Sequence, residues 1–463
     1  MLKLSCLTVA SLILLPSPAA HAQKAAPESD LAARIDAAIA PYFKPDAPGG
    51  SVIVVKDGKT VFRKGYGMAD LAKGVPMDAG AQHRIGSVTK QFTSTAILML
   101  AEEGKLSLDD DITKYLPDYP TNGRHITIEH LLTHTSGIMS YTSKPSFRAG
   151  IEKDMTPAMM IDTFKNDPLT FEPGSEYRYN NSGYFLLGAI IEKISGMPYA
   201  QFVEQRIFTP LGMLDTAHEG HEKRKALRAE GHTVRPTGFA PSTRVSMTQP
   251  YAAGAIVSTV DDLARWDAAV SSGKLLKAAS WQRAFTPYTL TTGKKTDYGY
   301  GWHLGTLQGT QRIAHGGGIP GFSAHAMRLP QEKVYVAVLV NNDRFPVSTQ
   351  VIAARAAAIA IGKPFPELKP VALDAGKLNE VAGSYQVDEK STVTFAREGD
   401  KLMMQRAERP DDKTEVVAHG PDRFFVPNTL VHMVFNRDAK GQVSGVTVHQ
   451  LDSSHTSPRI AAK

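Results

Sequence analysis

Hydrophobic and polar positions follow two different rhythms along this chain. As far as about residue 362, apolar residues recur at helical spacing in long stretches, separated by short apolar runs of strand character. Leu31, Ile35, Ala38 and Ile39 form one side of a helix expected over 30–42, which the turn formers of 45–50 end. Residues 51–55 and 60–66 are apolar runs around Lys56-Asp57-Gly58-Lys59, and Asp-Gly between two such runs predicts a hairpin. Val88, Phe92, Ala96 and Met99 share one face of a buried helix running from Gly86 to Gly104. Further helices are expected over 127–133, 155–164, 198–208 and 349–361, and from near Ser182 to Gly196. Ser258-Thr259-Val260-Asp261 reads as a capping box for one more, ending at Gly273. Strands are expected over 298–304, 323–329 and 334–340, and the polar stretch from His218 to Gln249 wraps the outside or borders a site. Helix and strands at both ends of this region predict an α/β fold, an antiparallel sheet flanked by helices plus a helical region.

Beyond residues 364–370, a proline-rich linker, the period falls to two. Seven short strands between Gly383 and Gln450 predict a small all-β barrel or sandwich over 371–463.

The first 22 residues change the picture of where the protein works. Lys3 precedes an apolar run from Leu4 to Leu15, too short to span a membrane, and Ala20-His21-Ala22 fits small-x-small cleavage. A signal peptide over 1–22, cut after Ala22, implies a periplasmic or secreted protein with its main domain over 23–363. The single cysteine, Cys6, lies inside that run, so the mature chain is expected to have neither disulfides nor thiol chemistry. A net charge of +6 spread over 463 residues, with no basic block, gives nothing for nucleic acid to bind. No later segment supports stable membrane insertion.

Three segments carry candidate chemistry. Ser87 and Lys90, three apart, share one face at a helix start, where a lysine of lowered pKa can take a serine's proton. Tyr179 brings a phenol able to relay a proton if nearby cations hold it partly ionised, and Asn181 an amide able to bond Lys90 and a substrate carbonyl. His315-Gly316-Gly317 permits close approach of backbone to a ligand. Each also has an ordinary structural reading, as an N-cap, a core aromatic or a turn. His130 and His134 are four apart but lack the further ligands of a metal site, and His218-Glu219-Gly220-His221-Glu222 reads as solvated surface. Asp109 to Asp111 lack the alternation of a calcium loop.

Taken together, Ser87-Val88-Thr89-Lys90, Tyr179-Asn180-Asn181 and His315-Gly316-Gly317 resemble the S-x-x-K, Y-x-N and K/H-x-G motifs of the serine β-lactamase and penicillin-binding protein superfamily. The branch is the class C β-lactamase-like one, which includes D,D-carboxypeptidases, D-aminopeptidases and esterases. Leu131 to Ile138 also looks like a stretch typical of that branch, where it is structural. The resemblance covers about residues 30 to 362. It implies the β-lactamase/transpeptidase-like fold and acyl transfer without metal or cofactor: Ser87 as nucleophile, Lys90 and Tyr179 as proton carriers, and the N–H groups of Ser87 and Gly318 as an oxyanion hole. It also implies a small peptide, amide or ester substrate, peptidoglycan fragments among them. Two departures weaken β-lactamase or strict carboxypeptidase action: His315 replaces the usual lysine, and Gly316 a hydroxyl residue. Arg244 and Arg328 are candidate substitute cations. The alternatives are a β-lactamase, a carboxylesterase, and a non-catalytic penicillin- or peptidoglycan-binding protein.

Overall fold

The computed structural model describes residues 28–460 apart from 225 and 390, so the expected signal peptide lies outside the described residues. The central sheet has six antiparallel strands: β1 (Gly50–Lys56), β2 (Lys59–Tyr66), β3 (His303–Leu307), β4 (Thr310–Ile319), β5 (Phe322–Leu329) and β6 (Val334–Val340). Their order is β3-β4-β5-β6-β1-β2, so the first and last parts of the region meet in mid-sheet. In β6, Val334, Val336, Val338 and Val340 face one side, while Tyr335, Ala337 and Leu339 face the other. Both faces are apolar because both are covered. Helices α1 (Glu28–Ile39) and, near the region's end, Thr349–Ala360 pack on the valine side. The opposite face meets the larger core, built around α2 (Lys90–Glu102), α3 (Asn181–Ser195) and α4 (Val260–Ser271). In chain order Thr349–Ala360 is α5.

Beyond an irregular stretch comes α6 (Ala375–Val381), then eight antiparallel strands in sequential order: β7 (Gly383–Gln386), β8 (Thr392–Glu398), β9 (Lys401–Arg406), β10 (Arg409–Gly420), β11 (Arg423–Phe425), β12 (Val431–Arg437), β13 (Val443–Gln450) and β14 (Ser453–Pro458). A bridge from Tyr385 to Arg459 brings first and last strands together, leaving a nearly closed barrel around Phe395, Phe424 and Phe435. The barrel meets the rest of the chain at specific points. Asp452 accepts hydrogen bonds from the backbone N–H groups of Gln308 and Gly309, each at 2.9 Å, and Leu430 and Leu451 pack against the valine-side core.

Several expectations are corrected. The eighth barrel strand is polar and mostly exposed, so it lacks the apolar alternation by which the other seven were read. The cap of α4 is Thr259, whose side chain accepts from Asp262 N, while Ser258 belongs to the short strand Ile256–Ser258. The strand expected from Tyr298 begins at His303, because Gly301 has φ +80° and Gly299 N–H turns back to Trp302 O. The polar 218–249 stretch contains a hairpin, His232–Arg235 with Gly238–Pro241. His218 and Glu219 are not solvated surface: His218 is buried, and Glu219 forks onto Arg84 at 2.7 and 2.8 Å. None of the described helices is long and apolar enough to cross a membrane.

Candidate active site

A short 3-10 turn, Gly86–Thr89, leads into α2, and from Ile85 to Leu100 every residue is buried except Ser87. Gly86 takes φ +49°, and a Cβ there would stand 2.9 Å from Gly318 N, so only glycine allows the two backbones to meet. Gly317 has the same role from the other side, since its Cβ would fall 1.9 Å from Ile85 O. The run His315 to Gly318 is therefore strand, not turn, and it lies along the entry to α2.

Strand pairing fixes which way its amides point. The Ile319–Phe322 pair closes the β4–β5 hairpin and must be hydrogen-bonded, so the next pair, Gly318–Ser323, is not. Gly318 N–H consequently points away from β5. β3 pairs with β4 only as far as Ala314, which leaves that edge to the Ser87 turn. Ser87 N–H is one of the first amides of a helical turn, a group with no partner within its own helix.

Lys90 is completely buried, and burial holds its amine well below the ordinary lysine range. Its Nζ lies 3.2 Å from Ser87 Oγ, 2.8 Å from Asn181 Oδ1 and 2.9 Å from Ala253 O. A neutral amine has two N–H bonds and one lone pair. Donation to the amide and carbonyl oxygens leaves the lone pair for the serine hydroxyl. Asn181 is set by the start of α3, where Asn180 is the N-cap and Ser140 Oγ accepts from Asn181 N. Its Nδ2 donates to Thr142 Oγ1 at 3.1 Å.

Tyr179 packs its ring 4.8 Å from Lys90 Nζ. Burial pushes its phenol above the ordinary tyrosine range, with the Ser87 hydroxyl partly opposing that shift. The Tyr179 hydroxyl itself is buried with no partner in hydrogen-bonding geometry among the described residues. Burial disfavours the ionised phenol and the protonated amine alike. His315 is buried as well. Burial holds it well below the usual histidine range, its Nε2 meets Tyr298 Oη at 2.8 Å, and its Nδ1 meets Gly316 O at 2.6 Å. Gly316 lies beside His325.

Ser87, Asn181 and Gly318 line a cleft of about 620 Å³, walled by Tyr141, Phe147, Val245 and Ile319. Arg148 and Arg344, which no motif marks, line it too. Of the cations suggested from sequence, Arg328 lies 3.2 Å from Asp267 and donates to Ser271 Oγ, and Arg244 is exposed beside the cleft-lining Thr243 and Val245. His130 completes the cap of helix Ile128–Leu132 through Nδ1, which accepts from Thr127 N.

Comparison with known proteins decides the family. The model of the family described as Beta-lactamase matches residues 32–361. The chain belongs to the beta-lactamase family. Penicillin-binding protein 4* of Bacillus subtilis is 28% identical over 412 residues, spanning 83% of this chain and 89% of that relative. The octameric penicillin-binding protein homologue from Pyrococcus abyssi is 26% identical with a TM-score of 0.67, covering 93% of this chain and 99% of that one. The D-amino acid amidase from Ochrobactrum anthropi SV3, solved with L-phenylalanine amide, is 26% identical with a TM-score of 0.62, covering 72% and 97%. Membership of the beta-lactamase family points to an enzyme of the serine-hydrolase kind, acting on peptide, amide or ester substrates.

Proposed function

We propose that the protein is an exported serine hydrolase that forms an acyl-enzyme at Ser87 on an amide, peptide or ester, D-amino-acid derivatives among them. The observation that carries this reading is the buried Lys90 amine, 3.2 Å from the one partly exposed hydroxyl of the turn. Lys90 takes the proton of Ser87 as Oγ attacks the substrate carbonyl. The oxyanion is held by the N–H groups of Ser87 and Gly318. The proton passes through Tyr179 to the leaving amine or alcohol, and the C–N or C–O bond breaks. Water then attacks the acyl-enzyme, gives its proton back through the same pair and restores the Ser87 hydroxyl. Asn181 keeps Lys90 aimed and borders the substrate. His315, neutral and engaged at both ring nitrogens, backs the strand beside the cleft and supplies no fixed charge for a carboxylate. That favours neutral esters and amides over β-lactams. The D-amino acid amidase, similar over 72% of this chain, supports an amide substrate.

A fluorophosphonate probe is expected to label Ser87, and Ser87→Ala to abolish labelling and turnover of a p-nitrophenyl ester and a D-aminoacyl amide while the thermal midpoint is kept. Full activity in that variant removes the nucleophile. Acylation of wild type without turnover of either substrate favours a binding protein instead.

A further inference from the structure

His134 lies outside the machinery described so far, yet it touches the segment that carries Tyr179 at two points. Its carbonyl oxygen accepts from Arg178 N at 3.0 Å, and its ring Nδ1 accepts from Asn180 N at 3.1 Å. The residues on either side of Tyr179 are thus both tied to one histidine. The His134 ring itself lies 4.3 Å from the Tyr179 ring, centroid to centroid. Such bracketing requires an unusual backbone, and His134 has φ +61° in a buried loop. An amide donor at Nδ1 fixes the tautomer with hydrogen on Nε2. That Nε2–H is buried without a partner among the described residues, and the ring centroid lies 5.1 Å from that of Tyr184 and 4.7 Å from that of Tyr298. The positive-φ backbone and the incompletely satisfied ring come with a place from which His134 holds the Tyr179 segment.

We infer that His134 is a positioning residue, which sets the phenol of Tyr179 over Lys90 by holding the amides of Arg178 and Asn180 and packing on the phenol ring. It touches no reacting atom. Burial keeps it neutral, as an acceptor at Nδ1 must be, and any positive charge on Lys90, His315 or His303 would act in the same direction. The inference rests on the proposed role of Tyr179.

The test is a double-mutant cycle with Tyr179→Phe, read as kcat for a p-nitrophenyl ester and as the rate of fluorophosphonate acylation. His134→Ala is expected to lower kcat by roughly 10²-fold in the wild-type background, with KM changed less than kcat. In the Tyr179→Phe background the same change is expected to cost less than about threefold, because the group it serves is gone. His134→Asn, which tolerates positive φ and offers an amide oxygen at the same place, is expected to recover part of the loss. Thermal midpoints of all variants are measured alongside, and His134→Asn stands in for His134→Ala in the cycle if the latter fails to fold. Equal fractional losses in both backgrounds overturn the inference. If Tyr179→Phe alone leaves kcat and acylation intact, the role of Tyr179 itself falls, which is a separate result.

Discussion

Lys90 lacks two things a lysine ordinarily has, water and a counter-ion. No carboxylate pairs with it among the described residues, and its three polar contacts are all to neutral oxygens. Its folded-state pKa therefore lies below its unfolded one. Between those two values the unfolded chain holds a proton that the folded chain does not. Stability accordingly rises with pH across that window, and the base form is populated before ordinary lysines titrate. Asn181→Asp places a carboxylate where an amide oxygen now lies 2.8 Å from Nζ. It is expected to move the acidic limb of kcat/KM upward by about 1–2 pH units, read from a pH–rate profile. An unmoved limb means that Lys90 is not the titrating base. Ser87, Lys90, Tyr179 and Asn181 were legible in the sequence because short ordered motifs name residue types. The protonation preference of Tyr179 was not, since it is set by burial among His134, Tyr298 and His315, which come from three distant segments.

The elements bring the site together through close backbone contact. β4 and the Ser87 turn touch where neither can carry a Cβ, and the glycines at 86 and 317 are the sequence's record of that contact. Gly317→Ala puts a methyl group 1.9 Å from Ile85 O, which flexible side-chain motion cannot relieve. A loss of about 1–3 kcal/mol is expected in chemical denaturation, together with slower acylation as the two N–H groups part. Normal acylation in that variant would mean that the amide of Gly318 is not used. The helix of α2 and the hairpin of β1 and β2 were readable from periodicity and from Asp-Gly. The 298–302 bend was not, because its aromatic and glycine residues also look like a strand, whereas Gly301 serves close approach: a Cβ there would sit 2.7 Å from Lys90 O.

At the scale of the molecule, a period of two beyond residue 370 announced the barrel but carried no information on how it attaches. Attachment lies in side chains that read as ordinary surface. Asp452 caps two amides of the β3–β4 turn, where Gln308 has φ +52° and Gly309 φ +80°, and Lys363 Nζ donates to Gln308 O at 3.2 Å. Asp452→Ala is expected to raise the rate of limited proteolysis within the irregular stretch 363–374 by about fivefold, the equivalent of about 1 kcal/mol of lost docking. An unchanged cutting rate would show that apolar contacts of Leu430 and Leu451 hold the barrel unaided.

The seam of that barrel has a different consequence. Ile460 N–H donates to Ser384 O at 2.8 Å, so the polypeptide enters and leaves the eight-stranded unit at neighbouring points. Adjoining ends make the strand order independent of where the chain is opened. Joining those ends and opening the sheet at a distant turn is expected to leave the order of its strands unchanged.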